Sequence, residues 1–210
     1  MNAIRQFSPF AVVGIVLTIS TLTFADAPTA PDERDRQVIE CLLLHLLEDT
    51  KFDMTRSSLI GANIVLDESS PLKTGFLSSD QIRSDFPNRT LPSHAVSDMR
   101  QRNTPANSKP HTYDSVKASY ADLKFDARIV VSNLEEIREK SRNKFRFFEN
   151  AHPKARGWLA SYLPGYSRDG NLAIVRAGAG PSDHGAMITA VLEKSGDKWV
   201  VKWYQISRYL

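Results

Sequence analysis

The sequence predicts an α+β domain in which an antiparallel β-meander of four to five strands is backed by helices. Four apolar segments of strand length follow one another near the end of the chain, and helical patterns precede them. The turns "SRDGN" and "KSGDK" join the first to the second and the third to the fourth segment, as in β-hairpins. The predicted strands are Trp158–Tyr166, Leu172–Ala177, Met187–Glu193 and Trp199–Arg208.

Two of these segments carry further information. "LAIV", from Leu172 to Val175, is apolar at every position, which predicts a central strand that is covered on both faces. In the last segment Trp199, Val201 and Trp203 alternate with other residues, so both tryptophans are expected to face the core on one side of the sheet.

The first helix is predicted in "DERDRQVIECLLLHLLEDT", where Asp32 and Glu33 suit a helix start. Its apolar residues recur at helical spacing: Val38, Ile39, Leu42, Leu43, Leu46 and Leu47. A strand is predicted over Ala62–Glu68, and short helices with serine caps are predicted from Ser78 and Ser93.

The remaining elements are a loop, a strand and a long helix. "RNTPANSKPHTYDS", from Arg102 to Ser115, predicts an exposed loop. Asp126–Asn133 predicts a strand, and one helix is expected from an Asn133 cap until shortly before Pro153.

Residues 1–25 are typical of a secretory signal peptide. Arg5 precedes the apolar run "FAVVGIVLTISTLTF", and small residues follow at Ala25, the expected cleavage point. Cleavage after Ala27 and retention as a membrane anchor are the alternatives. Residues 26–210 then form a single α+β domain with an irregular polar region at about 69–125. The sequence therefore predicts export to the periplasm or the extracellular space, without a membrane association after cleavage.

Charge and cysteine content restrict the function classes. The 27 Lys and Arg residues are mixed along the chain with 24 Asp and Glu residues, for a net charge of +3, so nucleic acid is not an expected partner. Cys41 is the only cysteine, which excludes an internal disulfide, and its leucine-rich surroundings predict a buried, inert thiol. The five histidines show no paired spacing, so neither a metal site nor a cofactor is expected.

The segment "GWLASYLPGYSRDGNLAIV … GAMITAVLEKSGDKWVVK" resembles an uncharacterised group of secreted proteins. The similarity falls on Phe145, Phe148, Pro153, Ser161, Gly165, Tyr166, Ser167, Ala173, Val175, Leu192, Lys194, Trp199 and Val201, with Arg102-Asn103 upstream. The resemblance implies an exported α+β domain and no particular activity. Many relatives have a cysteine in the loop where this chain has "GAGPSDHGA". The last hairpin also resembles that of the cone-shaped fold of nuclear transport factor 2 and its relatives, which is the alternative fold.

Candidate site residues cluster in that loop. Ser182, Asp183 and His184 are adjacent in the sequence. Because successive side chains point apart, the three cannot form the hydrogen-bonded arrangement of a catalytic triad. We therefore expect no catalytic residues and treat the three as candidate ligand-binding residues, together with Tyr166 and Arg176 on the predicted strands.

The sequence favours an exported, non-enzymatic binding or interaction domain, whose partner is a protein, an envelope component or a small ligand. The alternatives are a periplasmic or extracellular hydrolase and a cone-shaped protein with a small-ligand pocket. Converging carboxylates and His184 at a concave site would favour the hydrolase.

Overall fold

The computed structural model describes residues 30–49, 63–68, 77–78, 81–82, 85–86, 89–105, 119–143, 146–180 and 185–209. The predicted signal peptide lies outside these residues. Within them, no helix combines the length and the apolar character that a membrane span needs.

The described part of the chain includes four helices and seven strands with defined bounds, and residues 81, 82 and 85 are also helical. The helices are α1 (Glu33–Glu48), α2 (Ser93–Asn103), α3 (Leu134–Lys140) and α4 (Phe147–Ala151). The strands are β1 (Asn63–Asp67), β2 (Ile129–Ser132), β3 (Ala155–Ser161), β4 (Gly165–Tyr166), β5 (Leu172–Gly180), β6 (Ala186–Ser195) and β7 (Lys198–Tyr209).

The strands form one mixed sheet in the order β2-β1-β3-β5-β6-β7, with β4 also paired to β5. β1 runs parallel to β2 and to β3, and the remaining pairs are antiparallel. The α+β class is confirmed, and the sheet is mostly antiparallel. Strands β3, β5, β6 and β7 form the predicted antiparallel succession. The prediction of four to five strands is wrong, because β1 and β2 extend the sheet through parallel pairs that no local turn connects.

The predicted strand Trp158–Tyr166 is divided into β3 and β4. Ser161 pairs with Ala177, whereas Gly165 pairs with Ile174, so the two pieces lie against different halves of β5. Pro164 lies between them. Because proline has no N–H to donate to a ladder, the chain leaves the sheet here before it returns.

Helices cover both faces of the sheet. On one face, α1 buries five apolar side chains completely: Val38, Ile39, Leu42, Leu43 and Leu46. The predicted start of α1 is confirmed, since Asp32 and Asp35 form a reciprocal capping box. On the other face, α2 packs through Ala95 and Met99, while α3 and α4 cover Val65.

Three cap or helix predictions have different outcomes. Asn133 is the N-cap of α3, and its side chain accepts from Glu136 N at 3.0 Å, as expected. The single long helix up to Pro153 is wrong, because α3 ends at Lys140 and α4 begins at Phe147. Ser93 is not an N-cap: Pro92 holds that position and makes no side-chain cap.

Trp199 and Trp203 lie in different parts of the core, contrary to the expectation from alternation. Val191 pairs with Trp203 but Leu192 pairs with Val201, so Lys202 is an extra residue in β7. An extra residue of this kind reverses the alternation of the side chains along a strand. Trp199 therefore packs on the α1 face and Trp203 on the α2 face.

Candidate functional site

The loop trio predicted from the sequence is the first group of candidate ligand-binding residues. Ser182, Asp183 and His184 belong to residues 181–184, which lie outside the described residues. Their role as ligand-binding residues therefore stays a prediction. The other two candidates, Tyr166 and Arg176, are described, and each is part of a buried polar network.

Tyr166 belongs to a network centred on Asp35. The Tyr166 hydroxyl donates to Asp35 Oδ1 at 2.7 Å, and the Arg102 guanidinium donates to both carboxylate oxygens at 2.8 and 2.7 Å. The Asp35 side chain has no exposed surface. Burial, followed by the negative charge of Asp35, raises the pKa of Tyr166, so its hydroxyl remains a proton donor. The network ties α1, α2 and β4 together.

Further contacts surround Tyr166. The Arg34 guanidinium carbon lies 3.5 Å from the centre of its ring, and Arg34 also donates to the Gly170 carbonyl at 3.0 Å. The Tyr166 backbone N–H donates to Asp98 Oδ2 at 2.8 Å. Each polar atom of Tyr166 is thus engaged within the protein, and this geometry gives Tyr166 a structural role. Direct contact with a ligand stays a prediction.

Arg102 and Asn103 are the last residues of α2, whereas the sequence predicts that they begin an exposed loop. The buried Asn103 amide donates to the Leu163 carbonyl at 2.9 Å and accepts from Leu163 N at 2.8 Å. Arg102 also donates to the Pro164 carbonyl at 2.7 Å. These two side chains satisfy the backbone of the β3–β4 connection, which leaves the sheet at this point.

Arg176 belongs to the second buried network. Its side chain is 1% exposed, donates to Thr189 Oγ1 at 2.9 Å and forms an ion pair with Asp85. Its Nε has no partner among the described residues. The pair attaches the segment around Asp85 to β5 and compensates the charge of that carboxylate inside the protein. Direct contact of Arg176 with a ligand stays a prediction.

A cavity of about 280 Å³ lies between α2 and the segment that contains Ile82 and Phe86, and we call it the α2 cavity. It is lined by Ile82, Phe86, Arg89, Leu91, Ser93, Val96, Ser97 and Arg100. The four α2 residues are spaced as neighbours on one helix face, so a single face of α2 forms one wall. Apolar side chains, two hydroxyls and two guanidinium groups meet there, and none of these lining residues is acidic.

Arg89 is the most distinctive residue of the α2 cavity. Its guanidinium carbon lies 4.5 Å from the centre of the Trp203 ring. Trp203 in turn lies against Phe86, with 5.8 Å between the ring centres. No ion pair or side-chain hydrogen bond joins Arg89 to another residue in the part of the chain that the structure describes. The N–H donors of its guanidinium are therefore not used by described protein groups.

A second, more open groove of about 570 Å³ lies between α1 and the start of β7. Cys41 lines it and contacts the Trp199 carbonyl oxygen through its Sγ at 3.2 Å. Burial raises the pKa of the Cys41 thiol, which favours the unreactive protonated form. His45 packs edge-on against Tyr204 at 5.7 Å. This groove thus offers no activated nucleophile.

His152 and Ser132 form the one contact that resembles a catalytic pair among the residues described. Ser132 Oγ and His152 Nε2 are 3.2 Å apart. Burial lowers the pKa of His152, so its imidazole is neutral near pH 7 and could accept a proton. No described carboxylate bonds to its other ring nitrogen. No local sequence pattern indicates that His152 packs against Phe148 of α4.

The described residues contain no group of three or more His, Cys, Asp or Glu side chains that could hold a metal ion.

A scan against protein-family models, a search of curated proteins and a search of solved structures each find no match to this chain.

Proposed function

We propose that the protein is an exported, non-enzymatic binding domain and that a small ligand occupies the α2 cavity. The observation that carries this proposal is Arg89, which lines the cavity with N–H donors that no described protein group uses. Concave sites that combine apolar walls with a few oriented polar groups are typical of small-ligand binding. The export part rests on the signal-peptide pattern of residues 1–25.

The distribution of charge supports binding rather than catalysis. Two carboxylates that are buried in the described part of the chain, Asp35 and Asp85, are paired with Arg102 and Arg176 away from solvent. The described residues that line the α2 cavity include no carboxylate, imidazole or thiol. General acid–base catalysis needs such a group within hydrogen-bond reach of the reacting atoms.

A hydrolase is the second candidate function, and the Ser132–His152 contact favours it. A serine that is activated by a neighbouring histidine reacts with fluorophosphonate probes. We therefore expect a hydrolase to show labelling that Ser132→Ala and His152→Ala both abolish. Absence of labelling on the folded wild-type protein would remove this candidate.

The cone-shaped alternative requires an apolar cavity between the sheet and the first helix. The α1 side chains at this interface, such as Leu42 and Leu46, have no exposed surface and belong to the same buried cluster as the sheet residues Val175 and Ala190. This close packing favours a ligand site on the α2 face instead.

The test is a thermal-shift screen of the exported protein against small apolar and amphipathic molecules. Ser97→Trp places a large side chain at the exposed edge of the α2 cavity, so it should abolish any shift. Gln101→Trp is the matched control, because it adds the same side chain to the same helix outside the cavity lining. If compounds stabilise both variants equally, ligands bind elsewhere and the proposal is wrong.

A further inference from the structure

We infer that the ligand of the α2 cavity is a small amphipathic anion, an apolar chain that ends in a carboxylate, and that Arg89 binds the carboxylate. This inference rests on the proposed function and adds the chemical class of the ligand. Three features of the described residues carry it: the orientation of Arg89, the charge balance of the lining and the division of the walls into apolar and polar parts.

The first feature is the contact between Arg89 and Trp203. The Arg89 guanidinium lies over the face of the Trp203 ring, 4.5 Å from the ring centre, and this cation–π contact restricts the orientation of the guanidinium. The N–H donors of a guanidinium lie in its own plane and match the two oxygens of a carboxylate. Because no described residue occupies these donors, Arg89 is oriented for an anion that the described part of the chain does not supply.

The second feature is the positive charge of the lining. Arg89 contributes a cation without a charged partner among the described residues, and none of the described lining residues is acidic. Arg100 also lines the cavity but has an interaction of its own. Asp85 lies between two lining residues in the sequence, but Arg176 compensates its charge in the interior. The α2 helix begins at Ser93, which lines the cavity, and the helix dipole adds partial positive charge at this end. Pro92 is the N-cap residue and makes no side-chain cap there.

The third feature sets the size and polarity of the ligand. Ile82, Phe86, Leu91 and Val96 provide apolar walls beside the two arginines. The cavity volume of about 280 Å³ corresponds to roughly nine water molecules at about 30 Å³ each. A chain of about eight carbons with a single carboxylate fits this space. We favour a carboxylate over a phosphate, because Arg89 is the single lining guanidinium without a partner among the described residues and balances one negative charge.

Octanoate, 1-octanol, octyl phosphate and acetate are the probes of choice, with binding to the exported protein measured by calorimetry. We expect octanoate to bind at least about tenfold more tightly than octanol, since a charge-assisted hydrogen bond contributes this much. Acetate should not bind detectably, because it lacks the apolar chain. Arg89→Gln should reduce octanoate affinity about tenfold and leave octanol affinity unchanged.

Arg142→Gln is the matched control, since it removes one positive charge from an exposed arginine that does not line the cavity. It should leave octanoate affinity within about twofold of wild type. An equal loss in both variants would show a general charge effect and would overturn the role of Arg89.

The remaining outcomes separate the two proposals. Equal affinity for octanol and octanoate, both abolished by Ser97→Trp, would overturn the anion inference and leave the binding function standing. Tighter binding of octyl phosphate than of octanoate would overturn the choice of a carboxylate. If no probe binds and the wider thermal-shift screen also finds no ligand, the proposed function itself fails.

Discussion

The Arg89 guanidinium carbon lies 4.5 Å from the centre of the Trp203 ring. This contact joins the segment before α2 to the last strand of the sheet. It depends on the irregular pairing at Lys202, which turns Trp203 toward α2 while Trp199 faces α1. The same irregularity thus provides the aromatic ring over which the Arg89 cation lies, at the edge of the α2 cavity.

The Asp35–Arg102 pair should contribute strongly to stability. Asp35→Asn removes the ion pair and leaves the Arg102 guanidinium, whose side chain is 13% exposed, without its carboxylate. We expect a loss of about 3 kcal/mol in the free energy of unfolding, measured by urea denaturation. Tyr166→Phe, which removes one hydrogen bond to the same carboxylate, should cost about 1.5 kcal/mol.

The control for this pair is Glu33→Gln, because the Glu33 side chain is 63% exposed and its ion pair with Arg36 is on the surface. It should change stability by less than about 0.5 kcal/mol. The structural role of Asp35 would be contradicted if Asp35→Asn were no more destabilising than Glu33→Gln.

Arg176 and Asp85 should behave as an interdependent pair. Arg176→Met leaves Asp85 as an uncompensated buried charge and should cost about 3–5 kcal/mol. The double variant Asp85→Leu with Arg176→Met removes both charges and should recover most of that loss. Urea denaturation of the two single variants and the double variant gives the free energies of unfolding for a double-mutant cycle. Additive losses would mean that the two side chains act independently.

Gly165 should be intolerant of any side chain. A Cβ at this position would lie 2.1 Å from the Ala95 carbonyl oxygen and 2.4 Å from Met99 N, both in the backbone of α2. Gly165→Ala must therefore push α2 away from β4, at a cost of about 3 kcal/mol or more. Thermal and urea unfolding measure this loss directly.

Gly196→Ala is the comparison for Gly165, because no atom lies within 4 Å of its added Cβ and only its positive φ of 62° opposes the change. It should cost about 1 kcal/mol. Equal losses at the two glycines would show that α2 does not pack against β4 as closely as described.

His152 should make stability depend on pH. Burial lowers its pKa from 6.5, so at pH values between the folded and unfolded pKa the unfolded chain binds more protons. The free energy of unfolding should therefore fall as the pH decreases below about 6.5 and level off below the folded pKa. His152→Gln should show a smaller fall between pH 7.5 and pH 5. An identical pH profile for both proteins would contradict the burial of His152.

The local parts of the fold could be predicted from the sequence. Helical spacing and an acidic cap define α1, and the two glycine turns define the hairpins. Gly170 and Gly196 indeed have positive φ values of 72° and 62°, the conformation that glycine adopts without steric cost. These signals act within a few residues, so a single sequence is enough to detect them.

The long-range parts could not be predicted in this way. A strand pattern does not specify its neighbour, so the parallel pairs of β1 gave no local signal. The candidate cavity depends on three such contacts: the pair of Arg176 with Asp85, the contact of Arg89 with Trp203, and the irregular pairing in β7. Arg176 was predicted as a possible ligand-binding residue, yet its clearest role is to hold the segment that carries Phe86.

The most direct test of the central claim is an NMR titration of the exported protein with octanoate. It follows the Arg89 Nε–H signal and the Trp203 indole signal, with the Trp199 indole on the opposite face as the internal control. We predict saturable shifts of the Arg89 and Trp203 signals while the Trp199 signal stays unchanged. Saturable shifts of Trp199 alone, or no shift of Arg89 at saturating octanoate, would contradict the account.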